Sequence, residues 1–129
     1  GSVAALLDQL RRNLVAGVEY IQIREKDMPE RDLLALTRTI VQLAAGTRTR
    51  ILVNGRVDLA LAAGAHGVHL PSNAIAPHHW RRIVPANFVI GVSCHAGDDL
   101  TIPGADYILY APIFAPRSKA QTTPAVGLD

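Results

Sequence analysis

A chain of 129 residues with 49% hydrophobic and 19% charged side chains has enough apolar content to bury a core, which excludes a disordered segment. Its formal net charge of +2, with no run of Lys and Arg interleaved with aromatics, gives no footprint for nucleic acid but allows a small anionic ligand. The single cysteine, Cys94, excludes an intrachain disulfide; no apolar run approaches the roughly 20 residues that span a membrane, and no leader is apparent, so the expected location is cytoplasmic.

The first element, VAALLDQLRRNLVAG, places Ala4, Leu7, Leu10, Leu14 and Val15 on one helical stripe, with Gly17 where such a helix ends. EYIQIREK then alternates Ile21 and Ile23 with Gln22, Arg24 and Lys26, the period of a strand. PERDLLALTRTIVQLAAG returns to helical spacing, with Pro29 suited to a first turn, acids near the start and Gly46 at the end. The alternation repeats in shorter units: RILVNG as strand, RVDLALAAG as helix, GVHL as strand, APHHWRRIV as helix and NFVIGVSC as strand. A polar turn, HAGDDLTIPG, leads to a last strand, ADYILYAPIF, and then to a loop, APIFAPRSKAQTTPAVGL.

Strands separated by helices predict an α/β fold with a parallel sheet and right-handed crossovers. No GxGxxG follows the first strand, which removes the best signature of a dinucleotide-binding open sheet. A closed (β/α)8 barrel typically needs about 250 residues, so the barrel alternative is an incomplete one. No linker or composition break divides the chain, and residues 1–129 are taken as one domain.

In both architectures ligands bind beyond the carboxyl ends of the strands. Gln22, Arg24 and Lys26 share one face of the first strand, as a phosphate or pyrophosphate clamp or as part of an ion-pair network with Glu25 or Asp27. Asn54 ends the second strand and, by local preference, caps the helix that follows. His69 reads as a packed or solvent-facing residue; without an HxH, HxxE or CxxC pattern, no metal site is expected. On the fourth strand Val89, Gly91, Ser93 and His95 share a face and Cys94 turns away into the core. His95 is the candidate general acid or base, because imidazole exchanges protons near neutral pH. Arg117, Ser118 and Lys119 in the last loop have the composition of a phosphate-binding segment and equally of a solvated lid.

Taken together, QIREKD, LVNGRVDLAL, GVHLPS, IGVSCH and ADYILYAPIFAPRSKA, ending in GL, resemble the thiamine phosphate synthase family with its TenI-like thiazole tautomerase branch. The motifs keep family order and spacing from Tyr20 to Leu128. The resemblance implies a (β/α)8 TIM barrel of which about five strands are present here, the first and the last two lying outside. It also implies a phosphorylated thiazole or pyrimidine substrate, with pyrimidine and pyrophosphate contacts at Gln22, Arg24, Lys26, Asn54, Ser93 and Lys119, and Ser118 beside them.

Two positions depart from the synthase pattern: Gly55 replaces an Asp, and Pro71, Ser72, Asn73 and Ala74 replace a GQED run whose acid helps to hold Mg²⁺. On that ground the chain is expected to resemble the tautomerase branch, in which a His matching His95 carries the proton and no cofactor is needed. The alternatives are a Mg²⁺-dependent synthase and a phosphate-ligand-binding barrel without catalysis. Missing strands further predict a homo-oligomer, strand exchange with another chain, or a longer polypeptide.

Overall fold

The computed structural model describes residues 2–95, 97–111 and 125–126, with only the backbone of Ala111, Ala125 and Val126. The elements run α1 (Val3–Ala16), β1 (Tyr20–Ile23), α2 (Glu30–Ala44), β2 (Arg50–Asn54), α3 (Val57–Ala63), β3 (Gly67–Leu70), α4 (Pro77–Trp80), β4 (Val89–His95), β5 (Tyr107–Ala111) and β6 (Ala125–Val126). Local chemistry explains the first helix: the Ser2 hydroxyl accepts from the Ala5 N–H at 3.1 Å, and Gly17, at φ 76°, closes the last turn onto Asn13 and Leu14.

All strand pairs are parallel, in the order β5-β4-β3-β2-β1-β6. The α/β class and the half-barrel of five consecutive parallel strands therefore agree with the sequence pattern. Two local expectations are corrected. The helix expected through Val84 ends after one turn at Trp80, because β-branched Ile83 and Val84 stand before Pro85, whose ring disfavours helical backbone at the preceding residue. The backbone of Ala125–Val126, expected as loop, instead pairs with Gln22 and Ile23 and extends the sheet beyond β1.

One face of the sheet carries the apolar core. Ile21, Ile23, Ile51, Val53, Val68 and Ile90 alternate toward the helices, meeting Leu10 of α1 and Leu33, Leu36 and Ile40 of α2. Cys94 lies in this core, as expected. The other face is concave, and it carries the polar residues. Among the described residues no helix is long and apolar enough to cross a membrane.

Candidate functional site

Partners across parallel strands share a face, so register builds the concave surface row by row. One row is Gln22, Leu52, Gly67 and Val89; the next toward the carboxyl ends is Asn54, His69, Gly91 and Tyr107; Ser93 and Leu109 stand beyond it. Tyr20 precedes Gln22 on the same face, and its ring stacks on Tyr107 with centroids 5.5 Å apart. In a flat sheet the four steps from β1 to β5 would separate them by roughly 19 Å, at about 4.8 Å per step. The aromatic contact therefore requires the tight curl of a barrel wall.

Gly91 makes this contact possible. A Cβ at that position would lie 2.0 Å from the Tyr107 ring, so the bare backbone is the floor on which the ring rests. The space beside Gly91 is taken by the side chain of the neighbouring strand. Lying across Gly91, Tyr107 brings its hydroxyl 2.9 Å from His69 Nδ1, while His69 Nε2 lies 2.7 Å from Ser93 Oγ. His69 is only 3% exposed. Burial pushes the imidazole below its ordinary pKa and the positive charge of Arg24 pushes it further the same way, so the ring is neutral at neutral pH. The Tyr107 hydroxyl is pushed up to about 12, first by burial and then by Tyr20, and stays protonated.

His69 is packed, not solvent-facing, and it is more than packing: it is the centre of a part-buried hydrogen-bonded trio. His95, the expected proton carrier, stands at the exposed end of β4. Its backbone N–H donates to the Asp98 carboxylate at 2.6 Å and its Nδ1 lies 3.9 Å from the same carboxylate. No hydrogen bond joins it to Ser93 among the described residues.

Asn54 is corrected as well. The residue before α3 is Arg56, with no side-chain cap, whereas Asn54 Nδ2 donates to Gln22 Oε1 at 2.5 Å. The two amides tie the ends of β1 and β2 together, with Gln22 5% exposed and Asn54 half-buried. A cleft of about 300 Å³ at these strand ends is lined by Asn54, by the cations Arg24, Lys26 and Arg56, and by the acids Glu25 and Glu30, its apolar wall being helix-facing residues such as Ile23. Arg56 is neutralised by Glu30 at 2.6 Å and Asp58 at 3.0 Å. Among the described residues no salt bridge joins Arg24 or Lys26 to a carboxylate. Both are exposed at the cleft, available to an anion.

Arg117, Ser118 and Lys119 lie outside the described residues. Among the described residues no three His, Cys, Asp or Glu side chains gather into a group that could hold a metal ion. At the two strand ends where acids would serve Mg²⁺, Gly55 opens onto free space and Ala74 offers no donor. These residues do not fit a hard-cation site.

A family model described as thiamine monophosphate synthase matches residues 2–129. The chain is 40% identical over 127 residues to a putative thiamine-phosphate synthase of Geobacter sulfurreducens, covering 96% of this chain and 60% of that protein. It is 40% identical over 124 residues to the thiamine-phosphate synthase of Methanoculleus marisnigri, covering 94% and 59%. Among solved structures, thiamine phosphate pyrophosphorylase from Pyrococcus furiosus matches with a TM-score of 0.70 at 31% identity, over 84% of this chain and 55% of that one. The chain thus spans less than two thirds of these relatives' length.

Proposed function

The chain belongs to the thiamine monophosphate synthase family, and from that membership we propose that the whole protein couples a hydroxymethylpyrimidine pyrophosphate to a thiazole phosphate. In this reaction the thiazole nitrogen forms a bond to the pyrimidine methylene carbon as the C–O bond breaks and pyrophosphate departs with the electron pair. The observation that carries the reading is the pair of cations Arg24 and Lys26, which join no salt bridge among the described residues, exposed at a cleft that Asn54 also lines. Fixed positive charge beside the departing group stabilises the negative charge that grows on it. Arg24 offers a planar fork and Lys26 a point charge. Lys119 is assigned to the same anion by resemblance.

The amides suit the pyrimidine. With one Asn54 N–H donated to Gln22, the other amide hydrogens and the Asn54 carbonyl remain for the donor and acceptor edges of an aminopyrimidine. Because the described residues do not fit Mg²⁺, charge neutralisation is assigned here to side-chain cations.

The residue pattern predicted tautomerase-like proton transfer instead. The names borne by the relatives favour coupling, which becomes the main reading. The isomerase remains the second, because Gly55 and Ala74 replace the two acids; in it His95 moves the proton and Arg24, Asn54 and Lys119 orient the anion. Mass spectrometry of the full-length protein with both coupling substrates, in Mg²⁺ and in chelator, tests the main reading, and thiamine phosphate is the expected product. NMR of thiazole carboxylate phosphate tests the second. Isomerisation without coupling would replace the first reading by the second, and binding without either reaction would leave a non-catalytic barrel. The same reading takes residues 1–129 as part of one cytoplasmic barrel domain whose further strands, from the same polypeptide or a second copy, would pair at the outer edge of β5.

A further inference from the structure

We infer that Tyr107 and His69 are positioning residues that turn the Ser93 hydroxyl proton outward, making Ser93 a hydrogen-bond donor to an anionic oxygen of the substrate. The inference deepens the reading of the mouth as a site for a phosphorylated substrate and rests on it. A neutral imidazole has one N–H and one lone pair, so two arrangements of the trio are open. Either Ser93 donates to Nε2 and Nδ1–H donates to Tyr107, or Tyr107 donates to Nδ1 and Nε2–H donates to Ser93.

The phenol decides between them. A phenolic O–H is a better donor and a poorer acceptor than an aliphatic hydroxyl. Among the described residues, His69 Nδ1 is the hydrogen-bond partner of Tyr107. In the first arrangement the Tyr107 proton, half-buried against Tyr20, would have no acceptor among the described residues, at the cost of an unmade hydrogen bond. In the second both the phenol and the imidazole N–H donate within the trio, and the one proton left over belongs to Ser93. Ser93 is half-buried near the carboxyl end of β4, one step beyond the row that holds His69. Its outward proton requires an acceptor, which an anionic oxygen supplies. Gly91 is part of the same device, since it admits the ring that carries the phenol to His69.

Long-range ¹H–¹⁵N NMR of the full-length protein labelled at histidine reads the tautomer directly. The expected state of His69 at pH 7.5 is protonated at Nε2 and bare at Nδ1; a proton on Nδ1 overturns the inference. Calorimetry with inorganic pyrophosphate then tests the consequence. Ser93→Ala is expected to weaken binding about tenfold, the loss of one bond to a charged acceptor. Tyr107→Phe, which keeps the ring, is expected to weaken it by less, about threefold, and the double variant to bind no more weakly than Ser93→Ala alone. Independent losses, or full affinity in Tyr107→Phe, would overturn the positioning role. If tautomer and cycle come out as expected but no thiamine phosphate forms in the coupling assay, the function reading fails and the positioning stands.

Discussion

Replacing Gly91 by alanine tests the geometry on which the concave face depends. The new methyl would lie 2.0 Å from Tyr107 Cζ and 2.4 Å from both Cε2 and the hydroxyl, distances that no small shift absorbs, so the ring must leave. Overpacking of this kind costs about 1–3 kcal/mol. Displacing the ring also loosens its stack on Tyr20 and its bond to His69, together worth about 1–2 kcal/mol more. Against this, alanine is more favourable than glycine in a strand by about 0.5–1 kcal/mol. The net expectation is a loss of about 1–4 kcal/mol, read as a lower urea midpoint with an unchanged slope. The sign should reverse in a Tyr107→Leu background, because leucine lacks the ring atoms that the methyl meets. There Gly91→Ala should be neutral or stabilising. An equal cost in both backgrounds, or no cost in the wild type, would refute the claim that Gly91 exists to seat Tyr107.

Two further outcomes follow from buried polar groups. The Asp106 carboxylate accepts from the Ile90 N–H at 2.7 Å, and Arg81, which also donates to the Gly104 and Phe88 carbonyls, holds it there. Asp106→Ala leaves the Ile90 N–H without this acceptor and should cost about 1–3 kcal/mol in urea unfolding, whereas Asp106→Asn, whose carbonyl can still accept, should lose less; equal losses would count against the backbone bond. For His69 the folded pKa lies below the ordinary 6.5, so the unfolded chain binds more protons between those two values. Its contribution is therefore full above about pH 6.5 and declines as pH falls toward the folded pKa, by at most about 1.4 kcal/mol per pH unit. Thermal unfolding of wild type and His69→Gln across pH 7.5 to 5 should show a shallower slope in the variant, and identical slopes would contradict a buried neutral imidazole.

The fold was legible because its determinants are local. Helical stripes, two-residue alternation and glycines at helix ends each act within a turn or two, and α1, β3 and β4 emerge close to their expected bounds. Where the expectation failed, the cause was a competing local rule or a distant partner. Pro85 and the β-branched pair before it stop α4 early, a signal that was present in the sequence but outweighed by the apolar spacing of residues 76–84. The pairing of Ala125–Val126 with β1 had no such signal, since it joins residues about a hundred positions apart.

The candidate site was legible as a set of positions but not as a set of partnerships. Strand alternation correctly put Gln22 on the concave face, and register brings Ser93 there with it. It could not say that Asn54 would spend its amide on Gln22 instead of on a helix end, because that choice is decided by the pairing of β1 with β2, which sets Asn54 diagonally across from Gln22. His69 was undervalued for the same reason: set between Val68 and Leu70 and two residues after Gly67, it shows nothing until Gly91 and Tyr107 are recognised as its neighbours in one row. The signal that could have found it is the combination of an inward glycine on one strand with an inward tyrosine on the next. A missing side chain beside an aromatic one implies that the ring crosses the gap, and what lies on the far side of that gap is the residue in register, His69.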